Sequence, residues 1–466
     1  MRAAIPGSPA VAPVRASAMG LGAYTPLIVA LALRLASAPT ASVSYLVLAS
    51  YALLGPAHAI RALAMSWLFT MLSQGVAPEA SGAAVGRYAV LFAAAFSALI
   101  HSNLLSRQPH LLPFTLATVL LGVFLMGHSV LFSPIVDVSV LKALSWTLAM
   151  GTLISAWSGL SDWQKHELSQ QIFWGLVIIL VLSLPLALTS LGYLRNDRGF
   201  QGILNHPQAF GPTMALLGAW TATRMFGERK PGWWLVVLTG ACLMLVLMSE
   251  ARTAGLSMVG GIGLSILLAP GFSGLSIARM APGLGSARIW AVLCMALVGG
   301  IFMAPKIAET IQYYITKSGR ASGENLSELY DRSRGRLMDA MLDNIARQPL
   351  TGIGFGIASE PALMEVKRDP VLGLPTGASI EKGVTPLMVL EEVGVLGALF
   401  VALWVLRLLR SAARSGLAPF AVCMTVLLLN MGEATLFSAG GMGLLPMILL
   451  GWAYAGGQSR TRMCRA

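Results

Sequence analysis

The sequence predicts an all-α polytopic membrane protein with twelve to fourteen transmembrane helices and one large polar loop set between hydrophobic spans. Three observations predict it. Of 466 residues, 56% are hydrophobic and only 11% are charged, about half the charged fraction of an ordinary soluble domain. The mean hydropathy is +0.73. Apolar runs recur near the ~20 residues that cross hydrocarbon. Glycine at 49 and methionine at 23 suit packed membrane helices, where small residues let backbones approach.

Residues 1–22 are rich in Pro and Ala, carry Arg2 and Arg15, and show no cleavable signal pattern. They read as a short disordered cytoplasmic lead-in. An N-terminal transmembrane bundle, 23–304, holds apolar spans at 23–37, 43–59, 62–76, 84–103, 111–132, 137–157, 170–189, 208–225, 232–249, 253–269 and 287–304. The stretch 43–76 is too long for one straight helix, and Gly55-Pro56 breaks it. A large loop at 305–385 follows, then C-terminal spans at 386–409, 417–435 and 439–456, and a cytoplasmic tail at 457–466. The four cysteines lie in apolar spans or at the C-terminus, and none is in the loop, which argues against a structural disulfide or a Cys-based metal site.

Charge gives the orientation. The island from Pro305 to Val384 holds ten basic and ten acidic residues, so the net +12 comes from elsewhere, with 22 basic against 10 acidic residues outside it. Arg224, Arg229 and Lys230 join two spans; Arg279 and Arg288 join another pair; Arg407, Arg410 and Arg414 follow the first span after the island; Arg460, Arg462 and Arg465 end the chain. All four clusters fall on one side if the spans alternate, and the positive-inside rule makes that side cytoplasmic. The excess of basic charge is therefore topological and implies no nucleic-acid partner. The opposite side receives the 190–207 loop, the turn at Glu250–Arg252 and the whole island. Within the island, Gly335 to Gln348 reads as an amphipathic helix with Leu337/Met338, Met341/Leu342 and Ile345 on one face, stopped by Pro349. Residues 318–326 and 366–380 read as loops.

Four places on that side can carry chemistry: Gly202–Gly211 with His206, Ser249–Thr253 with Arg252, Gly335-Arg336 with the Gly352/Gly354/Gly356 run, and Glu381-Lys382-Gly383 followed by Glu391, Glu392, Gly394 and Gly397. Each also has a plain structural reading. Arg252 snorkels to the interface, and His206 caps the next span. The glycine run makes a tight turn, since no strand precedes it as a nucleotide loop requires. At least one of Glu391 and Glu392 pairs with a nearby Arg, because an unpaired buried carboxylate is costly. The functional reading draws on their combination. Arg252, Arg336, Lys382 and Arg320 can converge at one membrane surface, where cations match phosphate oxygens and stabilise a departing pyrophosphate. An acidic or imidazole group such as Glu381 or His206 can take a hydroxyl proton. No Asp/Glu/His cluster has metal-ligand spacing. The pattern points to metal-independent transfer from a lipid pyrophosphate, without a cofactor.

At these residues the chain resembles the O-antigen ligase/polymerase superfamily of bacterial membrane proteins, over roughly residues 195–410. The resemblance lies in the order of a GxxxHPQxxG-like mouth, an SxxR mouth, GR followed by PLxGxGFG, and ExGxxG after the large loop. It implies a GT-C-like architecture in the bacterial inner membrane, with the active site facing the periplasm. It also implies an inverting glycosyltransferase whose donor is an undecaprenyl-pyrophosphate-linked glycan. The acceptor is another glycan or lipid A-core, and membrane lipids and a chain-length regulator are the remaining partners. Arg252 matches the family's arginine at a periplasmic helix end and Arg336 that of the GR motif, both implied to hold the pyrophosphate. Ligase-type members carry a histidine where this chain reads Ile380-Glu381-Lys382-Gly383, and no histidine follows His206. That departure favours a repeat-unit polymerase over a lipid A-core ligase: either Glu381 or His206 is the base, or the acceptor is handled differently. A transporter or flippase of lipid-linked sugars is the reading from another class, drawn from Arg34 and Pro185 within spans.

Overall fold

The structure, a computed structural model, describes residues 21–79, 83–101, 112–195, 199–291, 294–295, 336–368, 373, 375–378 and 382–463. The described chain is almost entirely helical: α1 Thr25–Ala36, α2 Ala38–Ala52, α3 Pro56–Met71, α4 Ala83–His101, α5 Leu112–Phe132, α6 Val136–Gly159, α7 Asp162–Ser183, α8 Pro207–Gly227, α9 Trp233–Met248, α10 Arg252–Ser273, α11 Arg336–Arg347, α12 Thr385–Ser415, α13 Leu417–Leu429 and α14 Leu444–Met463. Among the described residues five helices are long and apolar enough to cross a membrane, including α5, α6, α10 and α12. Others, such as α1 and α13, are shorter apolar helices. Phe92 and Phe96 of α4, Val123 of α5, Ile178 of α7 and Leu256 of α10 face outward, a surface that suits lipid rather than water. This is an all-α membrane protein.

Gly55-Pro56 separates α2 from α3, as the sequence requires. The capping box of Ser161 and Gln164 starts α7 eight residues ahead of the apolar run at 170, because its first two turns are polar. At its far end Pro185 turns α7 into a 3-10 segment, Leu184–Leu188. Arg34 is buried and donates to the carbonyls of Phe69 and Pro78, so it caps the end of α3 and lines no path. The 287–304 span lies largely outside the described residues, as do the lead-in 1–20 and the island's first part.

The helices bring the polar connections to two ends. At one, Ser73 N–H bonds to Ile203 O at 2.9 Å, Phe200 N–H to Met248 O at 2.9 Å and Thr385 N–H to Asn430 O at 2.9 Å. At the other, Arg224 meets Gln170, Arg288 meets Pro231, and the 283 turn packs on 225–228. The loop end therefore carries the mouths and the described part of the island, and the basic end carries the Arg224, Arg279 and Arg407–Arg414 clusters.

Helix α11 matches the expected amphipathic helix and docks Met341 against the bundle, but Leu342 lies off that face and is exposed. Where a loop is expected at 366–380, a short antiparallel hairpin forms, β1 Val366–Arg368 with β2 Pro375–Ala378. Neither segment alternates apolar and polar residues, so its pairing has no local sequence signal.

Candidate functional site

The third and fourth sequence motifs form one interlocked unit. Helix α12 kinks at Gly394, whose backbone is non-helical at φ +65°, ψ −175°. In an unbroken helix the carbonyls of Glu391 and Glu392 would accept from Val395 and Leu396. Here Val395 N–H turns to Pro349 O at 2.9 Å, and the freed carbonyls accept from Ile353 at 2.8 Å and Gly354 at 3.0 Å. A Cβ at Gly394 would lie 2.1 Å from Leu350 O, so the close approach demands glycine. The side chain of His128, on α5, donates through Nε2 to Thr351 O and holds the turn from the other side. The glycine run is thus a docked turn, not a nucleotide loop.

Charge closes the same unit. Lys382 Nζ lies 2.7 Å from Glu391 and 3.2 Å from Glu392, and all three side chains are buried. Asn344 of α11 donates to Glu391 Oε1 at 2.8 Å, and Gly356 N–H donates to Glu392 Oε2 at 2.7 Å. The carboxylates are structural, as expected, but their partner is this lysine and not an arginine. One oxygen of each carboxylate accepts a hydrogen bond and the other faces the Lys382 ammonium, and this pairing offsets the cost of burying the charges.

Lys382 also reaches the wall of a cavity of about 410 Å³. Its other cations are Arg87 of α4 and Lys142 of α6, and no described carboxylate lines it. Its remaining wall includes Ser66, Ser145, Phe437, Ser438 and β2 of the hairpin. The guanidinium of Arg87 packs on Gly440, where a Cβ would come 2.8 Å from Nη1. Lys142 runs across Gly356 and sets its Nζ 5.2 Å from the Phe355 ring centroid. The 434–441 wall is held by Asn430, whose Oδ1 accepts from Thr435 N–H at 2.9 Å and Leu436 N–H at 2.7 Å. A wall with three cations and no carboxylate among the described residues is chemically suited to a multivalent anion.

The other expected residues fall elsewhere. His206 is the N-cap of α8, its Nδ1 accepting from Gln208 N–H at 3.0 Å. Arg252 opens α10; its neighbours Ser249 and Ala251 pack on Gly211, and Thr253 packs on Gly432. Neither lines the large cavity. Arg336 begins α11, but its side chain, like Glu381 and Arg320, lies outside the described residues. Sequence reasoning missed Arg87, Lys142, His128 and Asn430. The signal for Arg87, His128 and Lys142 was available, since an ionisable residue inside an apolar span is a functional candidate by default.

No family model matches this chain, and no curated protein sequence matches it.

Proposed function

We propose that the protein is an inner-membrane, metal-independent inverting glycosyltransferase that polymerises undecaprenyl-pyrophosphate-linked repeat units into surface polysaccharide. The observation that carries this reading is the cavity at the loop end, walled by Arg87, Lys142 and Lys382 and by no described carboxylate. A lipid diphosphate brings several negative charges to a membrane face, and fixed cations there stabilise the charge that develops as it leaves. The loop end is taken as periplasmic because the arginine clusters mark the other end as cytoplasmic. The geometry favours Arg87 and Lys142 as diphosphate partners, whereas Arg252 and Arg336 owe that role to the sequence pattern and the resemblance.

The test is transfer by purified protein in nanodiscs, supplied with a polyprenyl-diphosphate-linked oligosaccharide. A ladder of repeat multiples supports polymerisation, and single transfer to lipid A-core supports the ligase alternative. Activity should persist in EDTA, because the described residues of the cavity wall offer a divalent cation no carboxylate oxygens. A strong loss restored by Mg²⁺ would overturn the metal-independent mechanism. A flippase of lipid-linked sugars is favoured by one observation, the placement of Lys142 within the membrane-length helix α6. It predicts movement of the donor across the bilayer with the donor chemically unchanged.

A further inference from the structure

Two lysines reach the same cavity in different states. The Nζ of Lys382 sits between two buried carboxylates, at 2.7 Å and 3.2 Å. Lys142 leaves α6 near the end of its second turn, and no described carboxylate ion-pairs with it. The charged and titratable groups around it among the described residues are Arg87 and Tyr88 of α4, Lys382, and Glu391 and Glu392 of α12 behind Lys382. Glu392 attracts its ammonium and Lys382 repels it. A cation drawn from within a membrane span toward a cavity, with no carboxylate in ion-pair contact among the described residues, is costly until an anion arrives. Its stem is meanwhile fixed against Gly356 and Phe355, so the amine is aimed before any ligand binds.

We infer that Lys142 is the group that meets the departing diphosphate oxygen, while Lys382, committed to Glu391 and Glu392, forms a fixed wall of the same site. This rests on the transferase reading. As the acceptor hydroxyl oxygen bonds to the anomeric carbon, the bond from that carbon to the phosphate oxygen breaks. The bonding pair leaves on that oxygen, and the Lys142 ammonium hydrogen-bonds to the new charge. The hydroxyl proton passes to solvent water. Lys142 is then a catalytic residue outside the span of the family resemblance, from the half of the chain that had offered only hydrophobic helices.

The test uses full-length protein in nanodiscs, with two readouts. Steady-state transfer is measured for wild type, Lys142→Met and Lys142→Arg. Separately, acylation of Lys142 by acetic anhydride is followed by mass spectrometry with inorganic diphosphate, with polyprenyl diphosphate, or with neither. Lys142→Met should lower kcat about 10²–10³-fold, with KM changed by less than about threefold. Its thermal unfolding should stay unchanged or rise, because an uncompensated charge is removed; a purely structural lysine would lower it. Lys142→Arg should fall between the two. Both diphosphates should slow acylation of Lys142, the lipid form at the lower concentration. If wild type transfers and Lys142→Met keeps more than about a third of its kcat, the inference is overturned and the transferase reading stands. If wild type does not transfer yet Lys142 is protected, the transferase reading and the leaving-group role both fall, and an anion contact stands. Protection by inorganic diphosphate alone overturns the lipid donor. Acylation unaffected by either diphosphate overturns the contact itself.

Discussion

At the mouth of α8 and α10, His206 caps its own helix, and the Ser249 hydroxyl bonds to Val246 O and Ala251 N–H within its own turn. At the kink of α12, Glu391 and Glu392 reach three other segments, through Asn344, Gly356 and Lys382. The first region borders only a cavity of about 30 Å³, lined by Gln208, Pro212 and Glu433 among others. The second borders the large cationic cavity. Both regions carry polar residues at a membrane mouth. What separates them is where these side chains reach: the Ser249 hydroxyl stays within its own turn, whereas the Glu391 and Glu392 carboxylates tie several segments together around a void.

The sharpest way to break this contrast is to remove the charge at the centre of the second region. Lys382→Met leaves two buried carboxylates without their cation and should cost about 3–5 kcal/mol, read as a large drop in thermal unfolding temperature. Adding Glu391→Gln and Glu392→Gln should recover most of it, since neutral amides no longer need the lysine. If the triple variant stays as unstable as the single one, the triad is not what holds the unit together. Next in size is Gly394→Ala. Its Cβ meets Leu350 O, and its φ lies in the left-handed region, so it should destabilise by about 1–3 kcal/mol and loosen the 349–356 turn, read as faster proteolysis there. Unchanged proteolysis would mean that the turn does not depend on the kink. The smallest effect belongs to the first region: His206→Ala loses one cap, about 0.5–2 kcal/mol, and should leave transfer within about twofold. Abolished transfer in stable His206→Ala protein would return this histidine to the role of base.

Much of this contrast was legible in the sequence, and the parts that were not share a cause. The apolar runs other than 287–304, the Gly55-Pro56 break, the helix within 335–348 and the tight turn at Gly352–Gly356 are local patterns, and the described residues contain each. A structural carboxylate pair was also foreseeable, because a polar doublet in an apolar helix needs partners. Which partner it finds is a tertiary matter: Lys382 precedes the helix in a segment whose fold the sequence does not encode locally. Arg87 and Lys142 were hidden for the same reason. Arg87 is the single charge of its apolar span and Lys142 shares its span only with Asp137; which way each points is set by packing of α4 against α6, of α6 against α14 and of Arg87 on Gly440. The 366–378 hairpin lacks alternation, and its cavity-lining role follows from its contact with α6, where Arg368 pairs with Asp137.

The most direct test is the binding of a polyprenyl diphosphate to Arg87→Ala and Arg252→Ala, each compared with wild type at matched ionic strength. Arg87 lines the large cavity and Arg252 does not, though the resemblance assigns the diphosphate to Arg252. The expected result is a Kd raised at least about tenfold, or about 1.4 kcal/mol, by Arg87→Ala, with Arg252→Ala within about twofold of wild type. The reverse result, binding lost with Arg252→Ala and kept with Arg87→Ala, would contradict the cationic cavity as the donor site and move that site to the α8–α10 mouth.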